Sequence, residues 1–117
     1  MKEIVKRRGP ASAKEGTAAL ARFFPGAVPV RIPVRVSKGN TVKRGSTERT
    51  IIEFGTAEEM LFISALPLDF DDVVRVQCPD GSLDVSARVV AMRLHRGKMA
   101  IAAKLLEETD NWIIKAR

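Results

Sequence analysis

Between residues 28 and 105 the chain carries six stretches dense in β-branched and apolar residues: "VPVRIPVRVS", "RTIIEF", "EMLFIS", "DVVRVQC", "SLDVSARVVAMRL" and "KMAIAAKLL". The last five are separated only by "GTAE", "ALPLDFD", "PDGS" and "HRGK". Turns that short leave no room for a crossover helix. The spacing fits a small antiparallel barrel, an all-β domain, better than an alternating β-α fold.

Alternation assigns the faces. Val28, Val30, Ile32, Val34 and Val36 share one side of the first strand, with Arg31 and Arg35 on the other. Pro29 and Pro33 have no N–H to give a ladder, which predicts a strand that begins at an edge and pairs fully only after Pro33. Along the fifth stretch Leu83, Val85, Ala87 and Val89 keep one register that slips at Val90, Met92 and Leu94, as a bulge would make it do. Met99, Ile101, Ala103 and Leu105 face one way, and Asp80-Gly81 and Arg96-Gly97 read as hairpin turns. The expected core gathers Ile51, Leu61, Val74, Val89 and Ile101.

The ends read differently. Residues 1–11 are expected to be a basic, flexible tail, and residues 12–117 a single domain. Ser12 and Glu15 have the spacing of a capping box, and Ala13, Thr17, Leu20, Ala21 and Phe24 then fall on one face of a short amino-terminal helix that Pro25-Gly26 stops. Gly16 weakens that helix. The closing "LEETDNWIIKAR" predicts a short carboxy-terminal helical segment or turn whose Trp112, Ile113 and Ile114 plug a barrel mouth.

Charge and cysteine narrow the function classes. Residues 1–49 hold 12 Lys and Arg against 3 acids, whereas residues 50–117 hold 8 against 11, so an anionic partner would meet the first half. The single Cys78 rules out an internal disulfide and suits a reducing compartment; with no apolar leader after "MKEIVKRRGP" and no apolar run of about 20 residues, the chain is expected to be cytoplasmic, without membrane insertion. One histidine, His95, and one cysteine make a poor transition-metal set, and Glu58-Glu59 and Asp71-Asp72 sit at turn entrances where carboxylates are hydrated. No Walker loop, dinucleotide fingerprint or serine elbow occurs. The expectation is a non-enzyme with no cofactor and no metal. Aromatic residues make up 5% of the chain and tyrosine is absent, so base-stacking platforms are scarce and nucleic acid would be held only non-specifically.

Residues 22–112 resemble the PilZ family, small bacterial barrels that include receptors for cyclic di-GMP. The resemblance rests on "RFFPGAVPVRIPVRV" leading into the first strand, on the bend after "TIIEF", and on the closing "KMAIAAKLLEETDNWI". It implies a six-stranded barrel of PilZ type. It also implies two ligand motifs. For the first, R-x-x-x-R, Arg22 is the best-placed match, with Gly26 at the second position, while Arg31 and Arg35 restore the spacing within the strand. Guanidinium groups suit that task because they grip phosphate bidentately and stack on guanine. For the second, D/N-x-S-x-x-G, the aligned residues are Glu53, Gly55 and Glu58, so the hydroxyl is missing and an acid replaces the glycine. Losing two or three polar contacts to a charged ligand, at about 1.5–3 kcal/mol each, weakens binding by several orders of magnitude.

The resemblance therefore implies a bacterial signalling module with degraded nucleotide motifs. It would bind cyclic di-GMP weakly or not at all and act as an adaptor through a protein partner, using the outer face of the barrel and Trp112. In a nucleotide-bound form Arg22, Arg31 and Arg35 would meet phosphate and Glu53 a guanine edge. The alternative is a basic nucleic-acid-binding β-barrel.

Overall fold

A computed structural model of the chain describes residues 16–38, 46–107, 112 and 114. Six strands, β1 (Val28–Lys38), β2 (Thr47–Gly55), β3 (Glu59–Ser64), β4 (Val73–Gln77), β5 (Asp84–His95) and β6 (Lys98–Leu105), close into a barrel in the order β1-β2-β3-β6-β5-β4. Every neighbouring pair is antiparallel, including the β1–β4 pair that closes the ring. One short helix, α1 (16–21), precedes β1. The basic tail, Ser12, Ala13, Glu15 and Ile113 lie outside the described residues. Of the carboxy-terminal segment, Leu106, Glu107, Trp112 and Ile114 are described, and none of them is helical.

Alternating residues of all six strands fill the barrel. Val34 and Val36 of β1, Ile52 of β2, Met60 and Phe62 of β3, Val74 and Val76 of β4, Val85, Ala87 and Val89 of β5, and Ile101 and Ala103 of β6 form one buried cluster. Two members of the expected core do not belong to it. Ile51 is half-buried on the outside, because its neighbour Ile52 takes the inward position. Leu61 is fully buried but in a second cluster on the outer surface, between the inward Met60 and Phe62. Where apolar residues are adjacent in sequence, period-two alternation admits only one to a given face.

That second cluster is where α1 docks. Leu20, Ala21 and Phe24 pack over Leu61, Ala100 and Ala102, with Phe54, Ile63 and Ala91 at the margins. The strand "KMAIAAKL" is therefore buried on both faces, Ile101 and Ala103 inward and Ala100 and Ala102 beneath the helix. Small alanine side chains let the helix lie close to the sheet.

The edge behaviour of β1 follows its prolines. β1 pairs with β2 from Val28 to Ser37, but with β4 only from Arg35 to Lys38. Pro29 and Pro33 occupy the stretch with no β4 neighbour, where a missing N–H leaves no ladder bond unmade. In β5 the register against β6 shifts between Val89 and Ala91, so Val89 packs inward, Met92 packs inward again, and Ala91 lies under α1. The 69–72 turn straps this bulge through Asp71 N to Val89 O and Val89 N to Asp72 O, both 2.9 Å. Arg96 and Gly97, with φ of 52° and 81°, make the two-residue turn between the paired His95 and Lys98, both central residues being left-handed as a type I′ hairpin requires.

Candidate functional site

Glu53 stands at a double irregularity. Against β1, where the register shifts between Pro29 and Ile32, Val30 and Arg31 together stand opposite Glu53; against β3, where it shifts between Ile52 and Phe54, Glu53 is itself the extra, bulged residue. A bulge turns two consecutive side chains to one side. Phe54 accordingly joins the cluster under α1, and the Glu53 carboxylate accepts a hydrogen bond from the Thr17 hydroxyl of α1. Beside it lies a shallow hollow of about 90 Å³, lined by Pro29, Val30, Arg31, Ile51, Glu53 and Phe54. Arg31 and Glu53 are thus brought together.

The bend after β2 is satisfied from within. The Thr56 side-chain oxygen accepts from the amides of Glu58 and Glu59 at 3.1 and 2.9 Å, and its hydroxyl donates to the Glu59 carboxylate. The Thr56 amide donates to the Glu59 carbonyl at 2.9 Å, closing a tight hairpin. Glu58 is exposed, 3.6 Å from Lys104 Nζ, and its carbonyl accepts from Leu105 N at 2.7 Å. Over Gly55 lie the Trp112 ring and the Ile114 side chain, and Trp112 Nε1 donates to the Thr56 carbonyl at 2.7 Å. Trp112 is only 2% exposed and belongs to the barrel core, so it plugs the barrel and is not available as a contact for a partner protein.

The remaining sequence candidates are not gathered at this bend. Arg22 is exposed in the turn that follows α1. Arg35 is exposed on the outer face of β1, opposite Arg49 of β2 on one side and Gln77 of β4 on the other. The arginines, Glu53, Gly55 and Glu58 therefore do not form one pocket. Sequence reasoning missed Thr17 as the partner of Glu53 and Arg49 as the partner of Arg35. Helix-face periodicity pointed to Thr17 as a packing residue, but its target across the sheet depends on a bulge. Arg49 has the outward parity, yet its neighbour is decided by register.

Elsewhere the chemistry is sparse. His95 ends β5 beneath Gly16, and its Nε2 is buried with no hydrogen-bond partner among the described residues. Cys78 immediately follows β4, beside the start of β5, its amide bonded to the Leu83 carbonyl, and packs against the core as a small apolar group. The two are too far apart to work as a nucleophile and base. Among the described residues no group of three His, Cys, Asp or Glu side chains could hold a metal, and no helix is long and apolar enough to cross a membrane. Among the described residues Arg75 and Asp84 form a forked ion pair of 2.8 and 2.7 Å on the surface. The hydrogen bonds from Arg75 hold the Asp84 carboxyl below the usual aspartate range, and those from Ser82 do the same for Asp80.

In comparisons with known proteins, no family model matches the chain and no curated protein matches it.

Proposed function

We propose that this chain is a PilZ-like bacterial signalling module that acts through contact with a protein and binds cyclic di-GMP weakly or not at all. The observation that supports this is the occupancy of the bend where the resemblance places the nucleotide: Trp112 and Ile114 lie over Gly55, so the glycine surface faces the protein's own side chains. Glu53 is bonded to Thr17, and Glu58 and Glu59 bring two carboxylates to a loop that would have to receive phosphates. A ligand would have to displace the tryptophan plug and overcome that charge. The module would work by binding, without a reaction of its own, in the reducing setting that the single cysteine suggests.

The deciding experiment is a calorimetric titration of the full chain with cyclic di-GMP at physiological salt. The expected trace shows no saturable heat. Saturable binding that Arg31→Ala or Arg22→Ala abolishes would replace this function with that of a receptor.

A further inference from the structure

We propose that the outer face of β1 and β2 around Arg35 and Arg49 is the docking surface for an acidic segment of a partner protein. The inference rests on the protein-contact function above and names the chemistry of the partner. Arg35 and Arg49 are directly opposite each other across the β1–β2 ladder, and both are exposed. Like charges in directly opposite cross-strand positions destabilise a sheet. The fold does nothing to relieve them: among the described residues neither arginine is in an ion pair.

The acids that lie nearest in sequence are engaged elsewhere. Glu48, next to Arg49, turns to the opposite side of β2 and accepts from Ala65 N at 3.1 and 3.0 Å and from the Ser64 hydroxyl. Glu53 accepts from Thr17. On the β4 side the neighbour of Arg35 is the neutral Gln77, and Asp84, on the far side of β4, is taken by Arg75. Two arginines at facing positions, with no ion pair among the described residues, suit a carboxylate from outside, since a guanidinium presents a planar donor fork that matches one.

The same face carries an apolar foothold. Ile51, two residues after Arg49, lines the hollow of about 90 Å³ together with Pro29, Val30, Arg31, Phe54 and Glu53, whose carboxylate is held by Thr17. That space suits one aliphatic side chain. The surface therefore fits a segment that places carboxylates at Arg35 and Arg49 and an apolar residue beside Ile51. A nucleic acid is disfavoured because this face presents no exposed aromatic ring: Phe54, at the edge of the hollow, is half-buried against the cluster under α1, and the exposed Phe23 and Phe70 stand in turns outside β1 and β2.

The test is an NMR titration of the isotope-labelled full chain with a hexaglutamate peptide ending in leucine, at low and physiological salt. Amide and arginine side-chain shifts should cluster on residues 31–37 and 47–51, and Arg35→Gln/Arg49→Gln should weaken binding by about a hundredfold, the loss of two charge-assisted contacts at about tenfold each. The same double variant should melt at an equal or higher temperature, because its substitutions remove a repulsion. An absent response to the peptide, a response unchanged in the double variant, or a lowered melting temperature would each overturn the proposal. So would a single-stranded oligonucleotide that binds the same residues more tightly than the peptide. A parallel cyclic di-GMP titration separates the two levels. Saturable nucleotide binding defeats the adaptor function, whereas two flat titrations defeat only the acidic-segment surface.

Discussion

A methyl group placed on Gly55 would lie 2.9 Å from the ring of Trp112, closer than side-chain carbons approach one another, so the hairpin and the plug fit only because residue 55 has no Cβ. The Ile114 side chain would be 2.8 Å from the same methyl. The glycine is required here by packing, with no unusual φ to accommodate.

Gly55→Ala should therefore destabilise the barrel by about 1–3 kcal/mol, the usual cost of forcing an extra methyl into a packed site. Chemical denaturation followed by tryptophan fluorescence checks this, with a red-shifted native emission if the Trp112 ring is pushed outward. Unchanged stability and emission would mean that the plug yields freely.

Trp112→Phe keeps a ring in the barrel but removes the donor to the Thr56 carbonyl, leaving a buried acceptor without its partner. The expected loss is about 1–3 kcal/mol. Trp112→Ala, which also opens a cavity, should cost about 3–5 kcal/mol. Urea unfolding monitored by circular dichroism compares the two, and the ordering is the prediction.

Gly16→Ala sets two effects against each other. Helix propensity favours alanine by about 1 kcal/mol. The added carbon, however, would stand 2.7 Å from His95 Cγ, so the steric term should win and α1 should loosen from the sheet. Hydrogen exchange should then accelerate in 16–21 while the barrel strands keep their protection. In a His95→Ala background the sign should reverse and Gly16→Ala should stabilise.

The Arg75–Asp84 pair makes a pH prediction. The folded Asp84 carboxyl titrates below its unfolded value because Arg75 donates to it. Its contribution is therefore present above about pH 4, where an unfolded aspartate is ionised, and is lost as pH falls through the lower folded value. Both side chains are exposed, so the effect on stability is small and screened by salt. In Arg75→Gln, carboxyl NMR should show Asp84 titrating closer to an ordinary aspartate.

Strand placement was legible because it is written in local periodicity. The slip at Val90, the prolines of β1 and the left-handed turn at Arg96-Gly97 each leave a signature within a few residues. The candidate site was less legible. "RTIIEF" and "EMLFIS" hold adjacent apolar residues, so alternation alone did not say that Ile52 and Phe62 go inward, that Ile51 stays outside, or that Leu61 lies under α1. The motif positions of Glu53, Gly55 and Glu58 were readable as residues, but not as groups already engaged by Thr17, Trp112 and Lys104.

By itself the sequence determined that six short strands would pair antiparallel and that the first half would carry the positive charge. Those properties depend on turn length, side-chain period and composition, all of which act between near neighbours. The strand order that closes the expected barrel, the seat of Trp112 on Gly55 and the facing of Arg35 with Arg49 were decided only in three dimensions. Each depends on the register between distant segments, and a single bulge at Glu53 is enough to change which side chains meet.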